Sequence, residues 1–132
     1  MMNTKLLMTV SALFLGGLGM FISFLPEEIS IYLGMSTGIF TQLLLQIIGA
    51  LFMGFGMLNW MIRDALMGGI YNKPIVIGNL MHFVVTTLAL TRSLYKEQQH
   101  FEIVLLLTIV YGFFAVAFFF LFRRNPKSVS NK

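Results

Sequence analysis

The run FTQLLLQIIGALFMGFGMLNWMI, from Phe40 to Ile62, decides the fold because it contains no charged side chain. An α-helix rises about 1.5 Å per residue, so about 20 consecutive apolar residues cross the hydrocarbon core of a bilayer. The run is long enough for one crossing, and the first charges after it are Arg63 and Asp64. It therefore predicts a transmembrane helix that ends at this pair.

Three further apolar runs flank this one, and each ends at a charge, a proline or a turn cluster. They cover residues 6–25, 75–91 and 101–122, and the last has Glu102 at its start. The whole chain is 58% hydrophobic and 11% charged, whereas soluble domains are about half apolar and about a quarter charged. We therefore predict an all-α integral membrane protein. Residues 1–124 would form a single four-span transmembrane domain, and residues 125–132 a polar cytoplasmic tail.

The Lys and Arg residues are distributed unevenly over the two sides that four spans define. The side of both termini carries Lys5, Arg63, Lys73, Arg123, Arg124, Lys127 and Lys132. The other side carries Arg92 and Lys96. Because cytoplasmic loops carry an excess of Lys and Arg, we predict that the N- and C-termini are cytoplasmic. The same rule explains the net charge of +4 and argues against nucleic acid as a partner.

The first outer loop predicts a short helix that lies in the membrane interface. Pro26 followed by Glu27 and Glu28 is a typical helix start, and Gly34 marks the end of the helix. The loops between the spans have roughly 9 to 14 residues, which favours antiparallel neighbours in up-down-up-down order.

Each span carries a line of small or polar residues at three- and four-residue steps. Such lines let membrane helices approach closely and form hydrogen bonds with each other. They are Thr9, Ala12, Gly16, Gly19 and Ser23 in the first span, Gln42, Gln46, Gly49, Met53, Gly56 and Trp60 in the second, Asn79, His82, Thr86 and Ala89 in the third, and Thr108, Gly112 and Ala115 in the fourth. One inward line per helix at this spacing predicts a four-helix bundle.

Three polar residues lie in the inner half of the predicted spans, namely Asn59, Asn79 and His82. Polar residues inside a membrane often mark a functional site, and Asn79 and His82 share a helix face because they are three residues apart. One hypothesis is a ligand-binding pocket that opens to the cytoplasm and is also lined by Trp60 and Thr86. The alternative is that the three polar side chains bond to one another and fix the register of the helices.

The inner loop between the second and third spans begins with Arg63 and ends with Lys73. This cationic rim would suit the head group of an anionic lipid, whereas the alternative is that the charges only determine topology. The absence of cysteine excludes disulfides, thiol catalysis and zinc–thiolate sites. A single span histidine without an acidic neighbour is a weak metal site. We predict no metal and no catalytic residue, and the sequence indicates no particular cofactor.

The middle third of the chain resembles a family of small bacterial membrane proteins. The resemblance rests on GALFMGFGMLNW at residues 49–60, GGIYNKP at residues 68–74 and GNLMHF at residues 78–83. These segments look similar to those of uncharacterised four-helix proteins that are distantly DoxX-like. The resemblance implies that Asn59, Trp60, Asn79 and His82 belong to one recurring feature, and it transfers no catalytic role.

We interpret the chain as a non-enzymatic structural or accessory subunit of the inner membrane. Its partners would be the lipid bilayer and either a second copy of the chain or another membrane protein. Two other functions stay open. One is the binding of a lipid or quinone-like ligand, or redox-linked catalysis with such a ligand, in a pocket near Asn59, Asn79 and His82. The other is a small channel or transporter, which would need a polar path from Gln42 and Gln46 to His82.

Overall fold

The computed structural model describes residues 3–65, 70–96 and 99–124. These residues form five α-helices: α1 (Thr4–Phe24), α2 (Pro26–Tyr32), α3 (Ile39–Met61), α4 (Lys73–Leu94) and α5 (Phe101–Arg123). Within the described ranges there is no β-strand. The predicted all-α class is confirmed, with four long apolar helices and a short helix after the first. The tail predicted over residues 125–132 lies outside the described residues.

Helices α1, α3, α4 and α5 are each long and apolar enough to cross a membrane. Their bounds agree with the predicted runs to within about three residues, and the largest difference is at the end of α4, which continues to Leu94. A charge ends an apolar run without ending the helix. Arg92 lies in the last turn of α4, where a cation interacts favourably with the helix C-terminus.

The short helix α2 begins and ends as the sequence predicts. Pro26 occupies its first turn together with Glu27 and Glu28, a position at which proline loses no hydrogen bond. Gly34 follows the helix with a φ of 66°, a left-handed conformation that glycine adopts without steric cost. The N–H of the next residue then donates to the carbonyl oxygen of Ser30 at 2.8 Å. Helix α2 packs against α1 and α3.

The chain divides into two compact units, the first with α1, α2 and α3 and the second with α4 and α5. In the first unit α1 and α3 are antiparallel, because Lys5 contacts Asp64 whereas Gly19 lies against Gly49. In the second unit α4 and α5 are antiparallel as well. Phe83 contacts Phe118, and Thr87, one turn later on α4, lies against the earlier residue Gly112.

Glycines allow the backbones of α1 and α3 to touch. A Cβ atom added to Gly56 would lie 2.7 Å from the backbone nitrogen of Gly16, and one added to Gly19 would lie 2.6 Å from the carbonyl oxygen of Gly49. A Cβ atom added to Gly49 would overlap the hydroxyl of Ser23. Only hydrogen atoms fit at these positions. The lines of small residues predicted for the first two spans are therefore confirmed at these five positions. The line of the second span is wrong at Gln46 and Trp60, which are exposed.

Four aromatic side chains form a large part of the contact between α4 and α5. Phe83 is fully buried, and its ring centroid lies 5.5 Å from that of Tyr111, 4.8 Å from Phe114 and 5.4 Å from Phe118. We call these four residues the aromatic cluster. The line predicted for the third span is wrong at Ala89, which is exposed. Large flat rings give more dispersion contact than small side chains, so the face of α4 follows Phe83 instead.

Candidate functional site

The polar residue Asn59 forms an interhelical hydrogen bond in the first unit. Its Nδ2 atom donates to the hydroxyl of Ser11 at 3.1 Å, and that hydroxyl donates to the carbonyl oxygen of Met8 at 3.0 Å. Asn59 and Ser11 are both fully buried. A buried amide needs such partners, because an unsatisfied polar group in an apolar environment costs about 1–3 kcal/mol. The pair therefore couples α3 to α1.

Sequence reasoning selected Thr9 on α1 and did not identify Ser11. Thr9 donates its hydroxyl hydrogen to the carbonyl oxygen of Lys5 at 2.8 Å, so this bond stays within one helix. The useful signal is the register of the antiparallel pair: once Gly19 is placed against Gly49, Ser11 falls opposite Asn59. Three- and four-residue spacing alone does not supply that register.

The other two residues of the predicted inner cluster lie in the second unit. Asn79 is fully buried, and its Nδ2 atom donates to the carbonyl oxygen of Ile75, one turn earlier, at 2.9 Å. His82 is partly buried. Its ring centroid lies 5.2 Å from that of Phe83 and 5.7 Å from that of Tyr111. His82 is thus a neighbour of the aromatic cluster.

The sequence also assigned Thr86 to the site, but the adjacent Thr87 is the residue that faces α5. Its Cγ2 atom lies 3.7 Å from the position of a Cβ atom added to Gly112. Its hydroxyl donates to the carbonyl oxygen of Phe83 at 2.6 Å. The first unit therefore joins Asn59 to Ser11, and the second places His82 beside Tyr111. A common cluster of Asn59, Asn79 and His82 stays a prediction.

A charged group lies at the end of α3. The guanidinium carbon of Arg63 lies 3.9 Å from the ring centroid of Trp60, and its Nη1 atom donates to the carbonyl oxygen of the same residue at 2.9 Å. Asp64 pairs with Lys5 at 2.6 Å and with Nε of Arg63 at 3.6 Å. Arg63 and Lys73 are the two residues predicted to form the cationic rim. Lys73 is exposed in the first turn of α4 in the second unit.

The ion pair between Lys5 and Asp64 alters the acidity of the carboxyl group. The hydrogen bond from Lys5 is the largest cause, and it lowers the pKa of Asp64 below its ordinary value of 3.8. A loss of hydration opposes this shift, whereas the charges of Lys5 and Arg63 add to it. This pair was not predicted from the sequence, because the spacing of residues within each span does not give the register of α1 against α3.

Several hydroxyl groups in the spans bond to their own helix. The hydroxyl of Thr91 donates to the carbonyl oxygen of Thr87 at 2.8 Å, and that of Thr108 donates to the carbonyl oxygen of Val104 at 2.6 Å. At the start of α3, the side-chain amide of Gln42 donates to the carbonyl oxygen of Thr37 at 3.2 Å. These bonds satisfy the polar groups locally. In the described ranges, no three His, Cys, Asp or Glu side chains are grouped to hold a metal ion.

Two apolar grooves lie on the surface of the first unit. One, which we call the α1–α3 groove, has a volume of about 410 Å³ and is lined by Ala12, Leu13, Gly16, Met20, Met53, Gly56, Met57 and Trp60. The other, of about 430 Å³, lies along α3 and is lined by Ile47, Ala50, Leu51, Gly54, Phe55 and Leu58. Neither groove is lined by Asn59. The buried amide of this residue therefore belongs to the helix contact and not to a groove.

No family model, no curated protein and no solved structure matches the chain. The resemblance to small four-helix membrane proteins in residues 49–60, 68–74 and 78–83 therefore stays a prediction.

Proposed function

We propose that this chain is a non-enzymatic, multi-pass protein of the bacterial inner membrane that serves as a structural or accessory subunit. The observation that carries the proposal is the hydrogen bond from Asn59 to Ser11 at 3.1 Å between two fully buried side chains. This bond uses polar groups to join two helices. A binding or catalytic site would instead present such groups to a cavity.

The contacts around the bond support the same function. The hydrogen bond lies on the same helix pair as the backbone contact between Gly16 and Gly56. In a membrane, close packing and interhelical hydrogen bonds supply the stability that the hydrophobic effect supplies in water. The first unit therefore uses its small and polar residues to build a tight helix pair.

The outward surface suits a protein whose partners are lipid and other membrane helices. Large apolar side chains project from each long helix, and examples on α5 are Phe113, Phe119 and Phe120. The excess of Lys and Arg on one side supports cytoplasmic termini. An accessory subunit of this kind would act by covering or orienting a second copy of the chain or another membrane protein.

A double-mutant cycle at Ser11 and Asn59 tests the proposal. We expect Ser11→Ala and Asn59→Ala each to destabilise the purified protein, with a coupling energy of about 0.6–2 kcal/mol between them. Stability would be measured by unfolding with a denaturing detergent in mixed micelles. A coupling energy of zero, together with loss of a co-purified small molecule in the Asn59→Ala variant, would replace the structural function with ligand binding.

One observation favours a second candidate function, the binding of a lipid or quinone-like ligand in the second unit. His82 is partly buried beside Phe83 and Tyr111, at centroid distances of 5.2 and 5.7 Å, and a histidine ring nitrogen can form a hydrogen bond with a quinone carbonyl or a lipid head group. Mass spectrometry of small molecules that co-purify with the wild type and with His82→Leu tests this function. A quinone or lipid that is present only in the wild type would support it, and identical profiles would exclude it.

A further inference from the structure

The α1–α3 groove ends at a cation. We propose that this groove binds one phospholipid with an anionic head group, with an acyl chain along the groove and the phosphate at Arg63. Asn59 does not line this groove, and the proposal does not depend on the structural function.

The shape of the groove suits a hydrocarbon chain. Leu13, Met20 and Met57 project from its walls and are 64%, 54% and 61% exposed. Between these side chains Gly16 lines the groove and leaves space open, since an added Cβ atom there would have no neighbour within 4 Å. Its volume of about 410 Å³ falls in the range of about 300–1,000 Å³ typical of small-molecule sites. Methionine side chains adapt well to flexible apolar partners.

The groove runs along most of one leaflet of a bilayer. From Met53 to Trp60, the groove residues on α3 extend over about 10 Å, at about 1.5 Å per residue, and Arg63 follows just after the end of the helix. The hydrocarbon core of a bilayer is about 30 Å thick, so the groove covers about two thirds of one leaflet. An acyl chain whose head group lies at Arg63 would therefore lie along the groove and parallel to the other lipid chains of the bilayer.

The charge at the surface end selects the head group. Trp60 lines the groove, and the guanidinium carbon of Arg63 lies 3.9 Å from its ring centroid. Arginine has five N–H donors in a planar fork that suits phosphate. Lys5 lies at the same end through its 2.6 Å ion pair with Asp64. Two cations and one carboxylate leave this end positive, which favours an anionic lipid over a zwitterionic one.

The same charge argues against a second copy of the chain as the occupant. Most dimers have two-fold symmetry. A parallel dimer through this groove would bring two Arg63 side chains together at the same depth, where like charges repel. An anionic phospholipid neutralises Arg63 instead.

Trp60 provides the measurement, because it is the only tryptophan of the chain. The full-length protein would be reconstituted in phosphatidylcholine vesicles that contain a fixed fraction of either brominated phosphatidylglycerol or brominated phosphatidylcholine. Bromine quenches tryptophan fluorescence on contact. We expect phosphatidylglycerol to bind beside Trp60 with roughly fivefold preference, the ratio that about one cation at a membrane surface supplies.

Gly16→Leu and Gly17→Leu form a matched pair. Both glycines lie in α1, and an added Cβ atom would meet nothing within 4 Å at either position. Only Gly16 lines the groove, so we expect Gly16→Leu to lower the preference toward onefold and Gly17→Leu to preserve it. Gly16→Ala would replace the leucine variant if that variant did not fold.

A second set of variants tests the cation. We expect Arg63→Gln to lower the preference and Arg63→Lys to retain most of it. Arg123→Gln removes one cation from the same predicted side of the membrane and should leave the preference unchanged. Equal quenching by the two brominated lipids in the wild type would overturn the proposal. Equal losses of this preference in Arg63→Gln and Arg123→Gln would also overturn it, because they would indicate an effect of the general surface charge. An effect of Gly16→Leu on dimerisation alone would overturn it as well, because it would identify a second copy of the chain as the occupant.

Discussion

At Gly49, α3 packs so closely against α1 that only a hydrogen atom fits in the place of a side chain. Its neighbour across the helix pair is Ser23, and the backbone of Gly19 lies 2.7 Å from where a Cβ atom would stand. We predict that Gly49→Ala destabilises the protein by about 1–3 kcal/mol, the usual cost of overpacking. The measurement is detergent-induced unfolding followed by circular dichroism.

Gly54 is the matched control, since it lies in the same helix and an added Cβ atom there would meet nothing within 4 Å. Gly54→Ala should be neutral or slightly stabilising, because alanine is favoured over glycine in helices by up to about 1 kcal/mol. Equal effects of Gly49→Ala and Gly54→Ala would show that the backbones of α1 and α3 do not touch at Gly49.

The ion pair of Asp64 predicts a dependence of stability on pH. Because the hydrogen bond from Lys5 lowers the pKa of Asp64 in the folded protein, the contribution of this carboxylate is complete above the unfolded pKa of about 3.9. It is lost as the pH falls through the lower folded value. Both side chains are more than half exposed, so the contribution is small.

The stability of the wild type relative to Asp64→Asn should therefore be constant from about pH 7 to about pH 5 and should shrink below about pH 4. Unfolding titrations at several pH values would measure the difference. A difference that is constant down to about pH 2, or that grows on acidification, would contradict the pair between Asp64 and Lys5.

At the candidate site, the polar residues that are costly to bury could be predicted from the sequence, but their hydrogen-bond partners could not. Asn59 and Asn79 stand out because amides are rare in apolar runs, and both are fully buried. Ser11 did not stand out, because serine is common in membrane helices and its role depends on the register of α1 against α3. Partners in contact across two helices cannot be deduced from spacing within each helix.

Among the elements, the contact between α4 and α5 depends most on one side chain, Phe83. It is fully buried and lies against three other rings of the aromatic cluster. We predict that Phe83→Ala destabilises the protein by roughly 1–3 kcal/mol. This is less than the 3–5 kcal/mol usual in water, because lipid replaces water around the unpacked helices and only packing is lost. Steric trapping of the unfolded state in bicelles would measure the change.

Phe120 on α5 provides the comparison, since its side chain is exposed. Phe120→Ala should change stability by less than about 0.5 kcal/mol. Equal losses for Phe83→Ala and Phe120→Ala would show that the aromatic cluster does not hold α4 against α5.

The elements themselves could be predicted closely from the sequence. The thickness of a bilayer fixes the length of a span, and the turn residues around Pro26 and Gly34 fix the bounds of α2. The inward face was predicted correctly where backbone contact between glycines decides it, as at Gly19 and Gly49. It was predicted wrongly at Ala89, where bulky rings decide it, because phenylalanine is common on both the lipid-facing and the buried faces of these helices.

At the scale of the whole molecule, apolar and charged residues occupy separate parts of the chain. Four apolar helices carry few charges between their ends, and the Lys and Arg residues lie mostly on one side of the predicted topology. Because the buried Asn59 and Ser11 are bonded to each other across α1 and α3, we interpret the outer surface as the part that meets lipid and partner helices. We therefore propose that the chain crosses the membrane four times with both termini in the cytoplasm.

Cysteine labelling tests this claim most directly, since the chain contains no cysteine. Five exposed positions receive one cysteine each: Asn3, Ser36, Tyr71, Gln99 and Arg124. Intact cells are then treated with a membrane-impermeant maleimide before and after permeabilisation. We expect Ser36→Cys and Gln99→Cys to react in intact cells, whereas Asn3→Cys, Tyr71→Cys and Arg124→Cys should react only after permeabilisation. Reaction of Ser36→Cys and Tyr71→Cys from the same side would contradict it.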